Sequence, residues 1–317
     1  MPSSLSHRLI ILSGSGPGAG KSATCEWLIE QLKGHSIPAH WIYEDHVLFL
    51  PEFANFVRDI KSDPKRSAAS LIKAIHQFVV NRQNDEILYI SDSLFPCTTW
   101  FYGAGYRDTH IIDLSDEIMY LLAPLRPIVF HLQVSIQACF SRASKHRGEL
   151  YFVDHLHAIN NWPRLRDNPI HDKNDMMNLF TTTDQLTRKV LERWPEISFV
   201  VDASGSFEEL QGVILEKLNL EKLEISKRDI PFEGKYIGRF VSEGEPTHQD
   251  LIINKSDDNL MVNRYWPTGC RLVYIDQDQF RLQGTDHTLT FITGHGKKFL
   301  RVCHMHAGEE NWYRILS

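Results

Sequence analysis

The run Gly14-Ser15-Gly16-Pro17-Gly18-Ala19-Gly20-Lys21-Ser22 constrains what this chain can fold into more than any other stretch. Apolar Leu9-Ile10-Ile11-Leu12 precedes it, and a helical pattern through Trp27, Leu28 and Leu32 follows. Strand, glycine loop and helix in that order is the setting in which such a run cradles phosphate. Glycines let the backbone curl so that its N–H groups point inward at an anion. The following helix adds the positive end of its dipole. The backbone of Gly16, Pro17, Gly18, Ala19, Gly20, Lys21 and Ser22 is the expected cradle. Lys21 is placed to reach the terminal phosphates and Ser22 to ligate Mg²⁺. One position departs from the G-x-x-x-x-G-K-[ST] pattern: Ser15 stands where the first glycine is expected, with glycine on either side.

A chain of 317 residues holds one large domain or two. Its 42% hydrophobic content suits a globular protein with a real core. A formal charge of −6 argues against a general nucleic-acid binder. No apolar stretch approaches the ~20 residues that cross a bilayer. The first residues carry too short an apolar run for a secretory signal. Five dispersed cysteines (Cys25, Cys97, Cys139, Cys270, Cys303) read as reduced thiols rather than a disulfide framework. The cytoplasm is the expected location.

The first two thirds alternate apolar runs with helical patterns. Strands are expected at 8–12, 40–43, 87–91, 128–132 and 197–201. Helices are expected at 67–84, 136–145, 185–194 and 207–218, the last opened by Ser206 and Glu209 at capping-box spacing. This alternation predicts a parallel sheet with helices on both faces. Past Lys227 the text changes to short strands between turn signals: 235–241, 251–254, 260–266, 272–275, 279–282, 289–293, 299–304 and 312–316. Such spacing predicts an all-β antiparallel small barrel or sandwich. The expected domains are 1–226 and 233–317.

Ligands of open α/β sheets sit beyond the carboxyl ends of the strands. Strand two ends in Glu44-Asp45, and strand three in Ser91-Asp92. Asp92 is expected to support Mg²⁺ with Ser22. Glu44 or Asp45 is expected to act as general base, accepting a proton from an acceptor hydroxyl. After strand four, the run Arg142-Ala-Ser-Lys145-His-Arg147 offers cations to steady a transferring phosphoryl group, with Arg164 and Arg166 beyond it. Phe95-Pro96-Cys97-Thr98-Thr99-Trp100-Phe101-Tyr102-Gly103 is either the wall of an apolar pocket or plain core. His155 with His157, and Cys303, His304 with His306, lack zinc spacing and a third ligand.

With these residues in order, the first ~220 residues resemble the P-loop nucleoside and nucleotide kinases, the group of deoxynucleoside kinases, thymidylate kinase and chloramphenicol phosphotransferase. The resemblance rests on Gly20-Lys21-Ser22, Glu44-Asp45, Asp92 and the run from Arg142 to Arg147. It implies a five-stranded parallel sheet in the order 2-3-1-4-5, ATP with Mg²⁺, and phosphoryl transfer to a small-molecule acceptor under a mobile lid. Catalytic roles then fall to Lys21, Glu44, Asp45, Asp92, Arg142 and Arg147. Deoxynucleoside and thymidylate kinases usually carry Arg directly after the acidic residue of strand three; here Ser93 stands there, and nothing in the sequence requires Arg107, further on, to take that place. The last ~85 residues resemble small lipocalin-like β-domains in pattern.

The reading is therefore an ATP-dependent phosphotransferase acting on a hydroxyl or phosphate of a small molecule. The alternative is a nucleotide-dependent switch or NTPase whose β-domain binds a protein partner. No nucleic-acid or membrane partner is expected, and a homodimer is compatible with the chain.

Overall fold

Four successive apolar residues make a strand that is buried on both faces. β1 (Leu9–Gly14) is that strand, and Leu9, Ile10, Ile11 and Leu12 are all fully buried. The computed structural model describes residues 6–42, 50–63, 66–92, 95–148, 150–166, 169–224, 236–242, 251–256, 259–263, 270–276, 278–282, 288–294, 297–304 and 308–314. β1 lies between two parallel neighbours, β3 (Leu88–Asp92) and β4 (Pro127–Gln133). β2 (Ala39–Ile42) and β5 (Ser198–Asp202) form the edges, giving the order β2-β3-β1-β4-β5. The register sets Leu12 opposite Asp92 and Ser13 opposite His131.

Helices cover both faces. Leu9 and Ile11 join a cluster with Leu71, Ile75 and Phe78 of α3 (Ser67–Arg82) and Ile111 and Ile118 of α5 (Asp108–Leu122). The shorter α2 (Ala54–Ser62) and α4 (Thr98–Gly103) add Phe56 and Phe101 to that side. Ile10 and Leu12 join a second cluster with Leu28 and Leu32 of α1 (Lys21–Gly34), Cys139 and Phe140 of α6 (Ile136–Arg147), Phe152 of α7 (Leu150–Asn160) and Ile214 of α9 (Phe207–Leu218). α9 opens with the anticipated capping box: Ser206 Oγ accepts from the Glu209 N–H at 3.2 Å, and Glu209 Oε2 accepts from the Ser206 N–H at 2.9 Å.

The helix expected at 185–194 begins twelve residues sooner, as α8 (Lys173–Leu191). Asp172 caps it, accepting from the Asn174 and Asp175 N–H groups at 2.8 and 2.9 Å. The polar run Thr181-Thr182-Thr183-Asp184 hid the first half by interrupting the apolar period. α8 contributes Met176, Leu179 and Phe180 to the second cluster and Leu186, Val190 and Leu191 to the first. Its polar middle lies between them.

The chain divides into two compact units, one of Met1–Lys145 with Glu149–Ile225, the other of His146–Gly148 with Ser226–Ser317. In the second, β6 (Gly238–Ser242), β7 (Leu251–Ser256), β8 (Asn259–Val262), β9 (Cys270–Asp276), β10 (Gln279–Leu282), β11 (Thr288–Gly294), β12 (Lys297–His304) and β13 (Gly308–Arg314) pair in sequence. β13 returns to β6, so the antiparallel sheet closes into a barrel. Alternation decides its inside: Leu251 and Ile253 are buried while Ile252 between them is exposed. Leu260, Val262, Phe280 and Leu282 follow the same period. Tyr236 fills the interior beside Phe280 and Phe291, with ring centroids 4.8 Å from each, and its hydroxyl donates to Asp278 at 2.6 Å. No helix among the described residues is long and apolar enough to cross a membrane.

Candidate phosphate-binding site

β1 delivers the chain at Gly14 into a loop that re-enters helix at Lys21. Gly18 and Gly20 both take positive φ, +91° and +99°, which an L side chain rarely adopts. A Cβ on Gly18 would lie 2.2 Å from the Cys139 carbonyl oxygen, so the loop packs against the backbone of α6. At the start of α1, no side chain caps the first turn and no acidic residue stands within it. The orphan N–H groups of that turn are thus left for an outside anion.

Lys21 and Ser22 are half-buried at this helix start. Ser22 Oγ donates to Asp92 Oδ2 at 2.7 Å. Asp92 is buried at the carboxyl end of β3 and is 1% exposed. With its proton on Asp92, the Ser22 hydroxyl keeps its lone pairs for a cation. A serine hydroxyl beside a carboxylate is a hard oxygen pair of the kind Mg²⁺ takes near phosphate.

Arg142 lies on α6 between Cys139 and Ala143, the two residues whose backbone Gly18 meets. Burial pushes the Cys139 thiol up to about 11, against the opposing pull of the Lys21 and Arg142 cations. Arg142 Nη2 donates to the Ala203 carbonyl at 3.0 Å, which anchors the guanidinium to the end of β5. Arg147 is half-buried at the last position of α6. Of the other cations, Arg164 lies over the Tyr102 ring at 3.8 Å and donates to the Tyr106 carbonyl, while Arg107 and Arg166 are exposed. Glu44, Asp45 and Ser93 lie outside the described residues. Within the aromatic segment, Phe95 and Phe101 are core, and Trp100 stacks on Phe56 at 5.6 Å.

Sequence reasoning missed the polar floor of this site. His131 on β4 is fully buried, with Nδ1 3.1 Å from Ser13 Oγ and Nε2 3.0 Å from Asp184 Oδ1. Arg188 pairs with Asp184 Oδ2 at 3.2 Å. Burial works to raise the Asp184 pKa, but hydrogen bonds from His131 and Ser15, with the His131 and Arg188 charges, hold it below the usual carboxylate range. Beside this, Thr98 and Thr187 share a buried hydroxyl contact of 2.5 Å between α4 and α8. The available signal was His131 itself, a lone polar residue inside the apolar strand Ile128-Val129-Phe130-His131-Leu132.

No protein-family model matches the chain, and no curated protein matches it. The solved structures that match include deoxyadenosine kinase from M. mycoides with bound dATP, which is 19% identical with a TM-score of 0.38. That match covers 67% of this chain and 99% of that chain.

Proposed function

We propose that residues 1–226 form an ATP-dependent phosphotransferase of the P-loop class, and that its acceptor is a hydroxyl or phosphate of a small molecule. The observation that carries this reading is the 2.7 Å contact of Ser22 with Asp92 beside the uncapped, glycine-entered start of α1. Backbone N–H groups of Gly16, Gly18, Gly20, Lys21 and Ser22 hold the terminal phosphates, and Lys21 offsets their charge as transfer proceeds. Ser22 and Asp92 would hold Mg²⁺, which supplies charge neutralisation to the phosphate oxygens. Arg142, fixed by Ala203, presents its remaining donors to the transferring group, and Arg147 adds a second cation. Glu44 or Asp45 accepts the proton of an acceptor hydroxyl. The work is positioning and electrostatics, with water kept from the phosphoryl group. Residues 233–317 form a separate β-domain in this scheme.

The test is a mass-spectrometric screen of nucleosides, nucleotides and hydroxylated antibiotics for the gain of one phosphate in the presence of ATP and Mg²⁺. At least one acceptor is expected. With it, Lys21→Ala should lower transfer on the order of 10²–10³-fold, the loss expected for a group that stabilises transition-state charge, with the unfolding midpoint unchanged. Glu44→Gln or Asp45→Asn should cut turnover while ATP still binds. No acceptor across the panel, together with ATP-gated capture of a macromolecule, would replace the transferase with a nucleotide-dependent switch.

A further inference from the structure

We propose that Ser15, Asp184, His131 and Ser13 form a clamp that holds the phosphate loop in its anion-binding conformation, a positioning role that rests on the function proposed above. Ser13 and Ser15 flank Gly14, the residue at which strand becomes loop. Ser13 is tied to α8 through His131 and Asp184, and Ser15 to the end of β4. Ser13 reaches the carboxylate by way of His131, whose two ring nitrogens lie 3.1 Å from Ser13 Oγ and 3.0 Å from Asp184 Oδ1. Ser15 is held on β4 instead: its hydroxyl donates to the Leu132 carbonyl at 3.5 Å. The same hydroxyl accepts from the Val134 N–H at 3.3 Å, and the Ser15 N–H donates to the Leu132 carbonyl at 3.3 Å. The loop is thus pinned at its root to the end of β4 and to one carboxylate.

The chemistry is expensive for a device of stability alone. Burying a histidine and a carboxylate costs free energy that well-packed apolar side chains would not. A glycine-rich loop, however, has many conformations in which its N–H groups point elsewhere. Bonds that remove those conformations raise anion affinity without touching the anion. The serine at the first glycine position gains its meaning here: its hydroxyl is useful because the Leu132 carbonyl and the Val134 N–H stand beside it. Arg188 on Asp184 Oδ2 offsets the negative charge that would otherwise lie beneath a phosphate site.

The clamp and simple electrostatics make opposite predictions. Removing the Asp184 charge should tighten phosphate binding by electrostatics alone; the clamp requires that it weaken. The experiment titrates the full chain with inorganic tripolyphosphate and with ATP, each with Mg²⁺, by calorimetry. Asp184→Asn is expected to bind both probes about 10-fold more weakly, and Ser15→Ala about 3-fold more weakly, the range for loss of one hydrogen bond to a charged or neutral partner. Equal or tighter binding by folded Asp184→Asn overturns the clamp, even if its unfolding midpoint falls. Should Asp184→Asn fail to fold, Ser15→Ala and Ser13→Ala, each lacking one oxygen, decide by the same criterion. Wild-type protein that binds neither probe overturns the proposed function, and the clamp with it.

Discussion

The α/β unit and the barrel treat polar side chains in opposite ways. Every buried polar or charged side chain among the described residues, from Ser13 to Thr187, belongs to the α/β unit. Among the described residues of the barrel the buried set is apolar, apart from the hydroxyl of Tyr236. The barrel's period-2 pattern places apolar side chains inside and polar ones outside, the arrangement stability alone would choose. The sheet of the α/β unit departs from that choice in one place. Ser13, Ser91, Asp92 and His131 stand at the carboxyl ends of β1, β3 and β4, with Ser15 just beyond. Each is a position where an apolar residue would pack more cheaply. A cost concentrated at one end of one sheet supports the site proposed at that end, and an apolar interior supports packing as the role of the barrel core.

The largest expected effect tests the barrel half of that contrast. Phe280 is fully buried and meets Tyr236, Tyr274 and Phe291. Phe280→Ala should destabilise the barrel by about 3–5 kcal/mol, as large-to-small core changes do, and leave ATP affinity at the wild-type value. Denaturant melts with parallel nucleotide titration read both. An equal loss of affinity and stability would show that the barrel interior serves the site, and the contrast would fail. A smaller and opposite effect is expected at Ser91, whose buried Oγ has no hydrogen-bond partner among the described residues. Relieving an unsatisfied buried hydroxyl should stabilise Ser91→Ala by about 1 kcal/mol. A lower melting temperature in that variant would mean the hydroxyl is already bonded, and one member of the polar floor would leave the argument.

How much of this was legible follows from the range of the interactions involved. The five strands, the loop and the Ser22 and Asp92 positions are carried by local runs: an apolar strand, a glycine turn and a helix start; the strand order came only with the family resemblance. Periodicity also exposed the β-rich tail, though not that β13 returns to β6, because closure depends on pairing between distant strands. Of the clamp only His131 left a trace, as a lone polar residue in an apolar strand. His131 and Asp184 are 53 residues apart in the chain, so nothing local joins them. The threonine run of α8 disguised the helix that brings Asp184 to the loop. Arg142 was visible as a cation, but its anchor on the Ala203 carbonyl depends on β5 being next to β4. Glu44 and Asp45, read from the end of strand two, lie outside the described residues.

The smallest expected effect separates the two ends of the same sheet. At the amino end, Arg8 donates to the carbonyls of Arg82, Gln83 and Asp85, and Tyr89 donates to Asp85 Oδ2 at 2.5 Å. Arg82 lies 4.1 Å over the Phe78 ring and pairs with Glu52 at 2.6 Å. These polar groups tie strands to helix ends and face no glycine loop. Burial, then the hydrogen bond to Asp85 and its charge, pushes the Tyr89 hydroxyl up to about 12 from its ordinary 10. The folded state therefore favours the neutral phenol. Its contribution to stability is complete below pH 10 and is lost as pH rises through 12. Tyr89→Phe has no phenol to titrate, so the stability difference between it and wild type should shrink across that window. Denaturant melts between pH 9 and about 12 measure it, with each group's share set by its own folded and unfolded pKa values. Tripolyphosphate affinity at neutral pH should stay unchanged in the same variant. A constant stability difference across the window would remove the coupling of Tyr89 to Asp85. A loss of phosphate affinity would show that the amino end of β3 also serves the site, and that polarity at the carboxyl ends is not what sets the site apart.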